Sequence, residues 1–170
     1  MIVIEQRAPK DRPATERLVL PFDLRCKCRL RTRLASGEEA GLFLERGSVL
    51  RAGERLLGND GRVVEVVAAA EAVMEVRSDD ALLLARAAYH LGNRHVAVEL
   101  QPGLVRFARD PVLGEMVRGL GLAVVENEAP FEPERGAYGG HGGHTHPHGH
   151  SADGEGRGPR IHDMMLRGGR

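Results

Sequence analysis

Five histidines, His141, His144, His146, His148 and His150, crowd one glycine-rich stretch, Gly139-Gly-His-Gly-Gly-His-Thr-His-Pro-His-Gly-His150. Neutral imidazole is a borderline-soft nitrogen donor suited to Ni²⁺, Cu²⁺, Zn²⁺ and Co²⁺, and glycine lets the backbone wrap several rings around one ion. The interleaving with Gly, Thr and Pro separates this run from the unbroken histidines of a purification tag. Ordering such a segment costs backbone entropy and imidazole brings no charge, so the site is expected to load and release an ion rather than lock it. The spacing speaks for metal and leaves the choice of ion open.

Other donors are sparser. His95 follows Gly92-Asn93-Arg94, where a helix gives way to a strand. A lone histidine is ordinarily hydrogen-bonded structure, and one imidazole cannot hold an ion. It becomes a ligand if twofold symmetry brings two copies together, with tail histidines completing the shell. His90 and His162 carry less reason to bind metal. Cys26 and Cys28 lack the two-residue spacer of zinc and redox motifs, and at i, i+2 their Cα atoms would lie roughly 6.5 to 7 Å apart, the far edge of disulfide geometry. They are expected to stay reduced and to serve as small buried hydrophobes.

The clearest strand pattern runs from Leu24 to Leu34, with Leu24, Cys26, Cys28, Leu30 and Leu34 on one face and Arg25, Lys27, Arg29, Arg31 and Arg33 on the other. That basic face lacks the aromatics with which RNA-binding sheets stack bases. A solvated face, or a docking face for an acidic protein, is the expectation. Formal charge is zero, 24 basic against 24 acidic residues, so no global field draws the chain to nucleic acid or membrane. The N-terminus has no leader pattern and no stretch is long and apolar enough to span a bilayer, which predicts a cytoplasmic protein. H-E-x-x-H, phosphate-loop, G-x-S-x-G and Rossmann patterns are missing, and the chain reads as a non-enzyme.

Three segments follow from the rhythm of the chain. Residues 1–70 alternate with period two between turns such as Ser36-Gly37 and Asn59-Asp60-Gly61, predicting an all-β domain closed by Val63 to Val67. After a junction at Ala68 to Ala72, residues 71–135 alternate strands and helices. Val73 to Arg77 is a strand, and Ser78, ahead of two aspartates, offers an N-cap. Leu84, Ala87, Ala88 and Leu91 form a helical stripe, with Gly92 as the stop. His95 to Leu100 and Leu104 to Phe107 read as a hairpin. Asp110-Pro111 starts a second helix, with Val112, Leu113, Met116, Val117 and Leu120 as its stripe, and Leu122 to Val125 is the last strand. The order β-α-β-β-α-β is the ferredoxin-like arrangement, making the whole an α+β protein. Residues 136–170 carry too few apolar side chains to fold alone and are expected to be disordered.

Taken together, Glu38-Glu-Ala-Gly41, Arg46-Gly47, Arg51-Ala-Gly53, the run Ala87-Ala-Tyr-His-Leu-Gly-Asn-Arg-His95, and Pro130-Phe-Glu-Pro-Glu-Arg-Gly-Ala-Tyr138 entering a His-rich tail resemble the urease accessory nickel metallochaperones, UreE. The resemblance spans nearly the whole chain, and its specific parts are the Tyr-His-Leu-Gly-Asn-Arg-His and Pro-Phe-Glu-Pro segments. It implies an N-terminal domain similar to a chaperone peptide-binding domain, a ferredoxin-like metal-binding domain, and a homodimer joined through the latter. It implies that His95 is the interface nickel ligand. It also implies delivery of nickel to the urease apoprotein complex through an accessory GTPase, without catalysis by the chaperone. Where some members carry further histidines before the second helix, this chain reads Phe107-Ala-Arg-Asp-Pro111, so those auxiliary sites look absent. Zn²⁺, Cu²⁺ and Co²⁺ would compete for the same donors. Rival readings are a nickel or zinc buffer, and a module that docks partners through the basic sheet.

Overall fold

The computed structural model describes residues 1–135. The expected disordered tail, with His141, His144, His146, His148, His150 and His162, lies outside the described residues. Within them the protein is α+β, and no helix among them is long and apolar enough to cross a membrane.

Six strands form the first sheet: β1 (Ile2–Arg7), β2 (Glu16–Leu20), β3 (Arg29–Arg33), β4 (Glu39–Phe43), β5 (Arg55–Gly58) and β6 (Val63–Ala68). Their order is β2-β6-β5-β1-β4-β3, with β1/β4 and β2/β6 parallel and the other pairs antiparallel. The two edge strands curl toward each other until the Ala35 N–H donates to the Arg17 carbonyl at 2.8 Å. Ile4, Leu18, Leu42, Leu56, Val64 and Val66, all fully buried, fill the interior. The turns predicted at Gly37 and Gly61 both use positive φ, 87° and 85°, which glycine alone adopts freely.

The long strand predicted over Leu24 to Leu34 is corrected. Pro21 leads into a one-turn helix, α1 (Phe22–Arg25), and only Arg29–Arg33 is extended. Leu24, Cys28 and Leu30 still lean on the core, but Cys26 is exposed, contrary to the buried role expected of it; both cysteines are free. The sharper correction concerns Arg25, expected on an exposed basic face and found 0% exposed. Its Nε donates to the Leu20 carbonyl at 3.2 Å and one terminal nitrogen to the Leu50 carbonyl at 3.4 Å. The guanidinium also donates to the Glu132 carboxylate and the Phe131 carbonyl, and sits 5.3 Å from the Phe22 ring. Periodicity placed Arg25 outside; five fixed donors meeting converging acceptors place it inside.

Ala69 alone separates β6 from the second sheet, whose strands are β7 (Ala70–Arg77), β8 (Val98–Gln101), β9 (Leu104–Ala108) and β10 (Val124–Pro130). The order β10-β7-β9-β8, antiparallel throughout, with α2 (Ala81–Gly92) after β7 and α3 (Pro111–Gly119) after β9, is the ferredoxin-like arrangement. Asp80, rather than Ser78, caps α2, accepting from Leu82 and Leu83 N–H at 2.9 and 3.1 Å, while the Ser78 hydroxyl accepts from the Asp80 N–H. Asp110 caps α3 in the same way ahead of Pro111. Leu84, Ala87, Leu91 and Val117 from the helices bury against Met74, Val76, Val105 and Phe107.

The sheet face opposite these helices is charged yet covered. Arg106 grips Glu75 at 2.6 Å and Glu99 at 2.9 Å, and both carboxylates are buried. Burial by itself pushes the Glu75 carboxyl up, but its bonds to Arg106 and Asn127 outweigh that and hold it below the ordinary glutamate range. The cover is the segment after β10. Phe131 is buried against Val73 and edge-on to Phe22, ring centres 5.6 Å apart, and so joins the ferredoxin-like sheet to α1.

Removing Arg25 would strand the Phe131, Leu20 and Leu50 carbonyls and a partly buried carboxylate. Arg25→Met is expected to lower stability by about 2–4 kcal/mol, read from urea unfolding, whereas Arg31→Met on the surface should change it by less than about 0.5 kcal/mol.

Candidate metal centre

α2 ends at Gly92, where the sequence predicted a stop, and the turn that follows is a closure of Schellman type. The His95 N–H donates to the Gly92 carbonyl at 2.9 Å and the Val96 N–H to the Leu91 carbonyl at 3.3 Å. That geometry needs a left-handed residue at the position before Val96, and glycine is its usual occupant. Here it is His95, at φ 56°, the one non-glycine residue with positive φ among the described residues. Val96 turns inward onto the core that holds Leu91, and the chain becomes extended only at Val98, so the strand predicted from His95 begins three residues later. The imidazole is thereby presented on the surface by a turn pinned on both sides.

Histidine tolerates the left-handed region better than most side chains, but the conformation still carries strain of about 1 kcal/mol. Strain retained at one exposed position makes His95 a candidate functional residue. Neither a β-branched pattern nor helical periodicity encodes it. The available signal was the position of a histidine, rather than glycine, three residues beyond the expected stop.

No group of three or more His, Cys, Asp or Glu is close enough to hold an ion among the described residues. His90 is half-buried, its ring edge-on to Tyr89 at 5.4 Å and its carbonyl accepting from Arg94 at 2.9 Å. One chain's described part therefore offers His95 by itself. The tail histidines His141, His144, His146, His148 and His150 fall outside the described residues.

The basic face expected for docking is smaller than the sequence suggested. Arg25 is withdrawn into the interior, while Lys27, Arg29, Arg31 and Arg33 are exposed. Arg31 and Arg33 share Glu39, at 2.9 and 3.2 Å, and Arg31 holds that carboxyl below the usual range. Arg29 stands opposite Phe43, 49% exposed, beside a shallow depression that also takes in Met1 and Arg31.

Sequence reasoning assigned no role to Glu132. Its carboxylate meets Arg25, Arg51 at 3.6 Å and the Ala52 N–H at 3.2 Å, and its own N–H donates to Glu99 at 2.9 Å. The Pro-Phe-Glu-Pro motif was visible, but its partners lie far away in sequence.

Because the left-handed turn suits glycine better, His95→Gly should raise stability by about 0.5–1 kcal/mol in urea unfolding while deleting the imidazole. A loss of stability on that substitution would show that the ring, not the backbone, holds the turn.

Comparison with known proteins converges on one family. Residues 3–69 match the model of the UreE urease accessory protein N-terminal domain, and residues 71–156 match that of the C-terminal domain. The Urease accessory protein UreE of Alkalilimnicola ehrlichii is 54% identical over 140 residues, covering 82% of this chain and 86% of the relative. That of Pseudomonas putida strain W619 is 56% identical over 139 residues, 81% and 86%. That of Dechloromonas aromatica is 48% identical over 179 residues, 98% of this chain and 100% of the relative. A left-handed surface histidine closing the first helix of a ferredoxin-like domain thus sits in a chain that belongs to the UreE family of urease accessory proteins.

Proposed function

We propose that this protein is a carrier in urease maturation that binds Ni²⁺ and yields it toward the urease apoprotein complex through the accessory GTPase, in the cytoplasm and without catalysing a reaction. The observation that carries this reading is the exposed His95 imidazole, held in a strained turn and belonging to no group of three or more metal-ligating side chains among the described residues. A single fixed donor suits a site completed by symmetry: two His95 rings across a homodimer axis, with His141, His144, His146, His148 and His150 filling positions that the recipient's ligands later take.

The apolar side chains left exposed on the ferredoxin-like domain support such a dimer. Leu82 and Tyr89, at i and i+7 on α2, are 70% and 65% exposed, and Tyr89 lies on the last turns before His95. Nickel is cargo here, and imidazole without thiolate or carboxylate makes it exchangeable. Zn²⁺, Cu²⁺ and Co²⁺ compete for the same nitrogen donors.

A second reading rests on Phe43 and Arg29. Exposed phenylalanine beside a cation that makes no ion pair among the described residues suits an acidic partner surface, with Lys27 and Arg31 flanking.

Calorimetric nickel titration should show His95→Ala losing the tightest ion per dimer while the tail histidines retain weaker binding. The wild type should shed nickel on acidification, because binding needs neutral imidazole. Unchanged stoichiometry down to about pH 5 would sink the imidazole scheme. Arg29→Glu with Lys27→Glu should weaken binding to the purified accessory GTPase at least about tenfold and leave nickel binding intact; if partner affinity is unmoved, the basic face is only a solvated surface.

A further inference from the structure

A strand at the edge of a sheet carries a row of unpaired N–H and C=O groups, which other chains can template upon unless the edge is blunted. Both edges of the four-stranded sheet are blunted. On β10, Arg118 donates to the Val124 carbonyl at 3.2 Å, the Asn127 side chain accepts from the Glu128 N–H at 2.9 Å, and Pro130 has no N–H to offer. On β8, the Val98 carbonyl accepts from the Glu134 N–H at 2.8 Å. In the six-stranded sheet, β2 and β3 are the edges, and the bond from Ala35 to the Arg17 carbonyl is the one backbone link between their ends among the described residues.

β3 is left open along its length. The Leu44 N–H donates to the Cys28 carbonyl at 2.7 Å and the Leu34 N–H to the Glu38 carbonyl at 2.9 Å, and these bonds bracket the β3/β4 ladder. Only alternate residues of an antiparallel pair exchange bonds, so Leu30 and Thr32 bond β4 while Arg29, Arg31 and Arg33 turn N–H and C=O outward. These three sets lie about 7 Å apart, the repeat of an extended chain. The same residues place their exposed side chains on the outer face. Their partners on β4 are Phe43, Gly41 and Glu39, and the Phe43 ring leans over Gly41, where a Cβ would meet it at 3.1 Å. Glu39 is thus the one acid opposite them, and it is shared by Arg31 and Arg33.

We propose that the β3 edge takes up an extended acidic segment of a partner protein as an added strand. The segment's backbone bonds Arg29, Arg31 and Arg33, and its acidic side chains, at every second position, face the three guanidiniums. A second copy of β3 is refused, because it would set arginine against arginine. The proposal deepens the reading of the basic face as a docking surface and rests on it.

The test titrates the full chain with a fluorescein-labelled peptide of alternating glutamate and valine, followed by anisotropy, with a lysine and valine peptide as the charge control. Two further peptides carry N-methyl groups on the glutamates alone or on the valines alone. An added strand points one set of N–H groups at β3 and the other away, so one methylated peptide should bind at least about tenfold more weakly than the other. On the protein, Arg31→Pro removes an outward N–H without taking a bond from β4, as proline can at an edge. It should bind the glutamate peptide about three- to tenfold more weakly than Arg31→Gln, which removes the charge alone, both with native circular dichroism. Equal binding of the two methylated peptides, with glutamate still preferred to lysine, overturns strand addition and leaves a basic docking face. No preference for glutamate over lysine overturns both.

Discussion

The guanidinium of Arg25 is the point at which the two sheets become one body. Arginine cannot shed its charge in a protein, so a fully buried one must find acceptors for a planar fork of donors. Two of those acceptors come from the end of β2 and the loop before β5, and two, on Phe131 and Glu132, from the segment beyond β10, a strap across the ferredoxin-like sheet. None of the four is in the helix that carries Arg25. The arrangement specifies geometry more than it adds net stability, since a buried ion pair repays its desolvation only when every partner is in place. The Phe22 and Phe131 rings, packed edge to face, exclude water from the same junction.

With the strap fixed in this way, the outward face of the ferredoxin-like sheet is relieved of its usual requirement to be either apolar or wet. Glu75, Glu99 and Arg106 can be buried there because they satisfy one another and the strap's backbone. The helices cover the other face, and between these covers the β8 edge carries His95 at its threshold. The candidate metal ligand is thus the exposed tip of a body that is otherwise fully bonded. This division suits a carrier: the fixed part must not rearrange when an ion arrives, and the exchangeable part must cost little to displace.

Much of the ferredoxin-like domain was legible because its signals are local. Asp110 before Pro111 and the stripe of Leu84, Ala87 and Leu91 each announce an element within a few residues. The family was legible from short motifs. What escaped depends on distance. Alternation of apolar and basic residues from Leu24 to Leu34 satisfies a strand template, yet Pro21 and the needs of Arg25, whose partners lie 106 and 107 positions away, impose a helical turn instead. The left-handed turn at His95 escaped for another reason: α2 does stop at Gly92, and nothing local announces the strained closure that follows it. Pro-Phe-Glu-Pro has no periodicity to read, and its function is defined wholly by contacts.

The buried arginine also orders events in time. Synthesis runs from the N-terminus, so the curled six-stranded sheet leaves the ribosome well before Phe131 and Glu132 exist to receive Arg25. Until then the cation can bond only the Leu20 and Leu50 carbonyls and must keep its remaining donors in water. The last two acceptors of Arg25, on Phe131 and Glu132, therefore arrive only when the chain is nearly finished, and they complete that seam. Completion of the body and arrival of the histidines that follow it are, by this geometry, a single event.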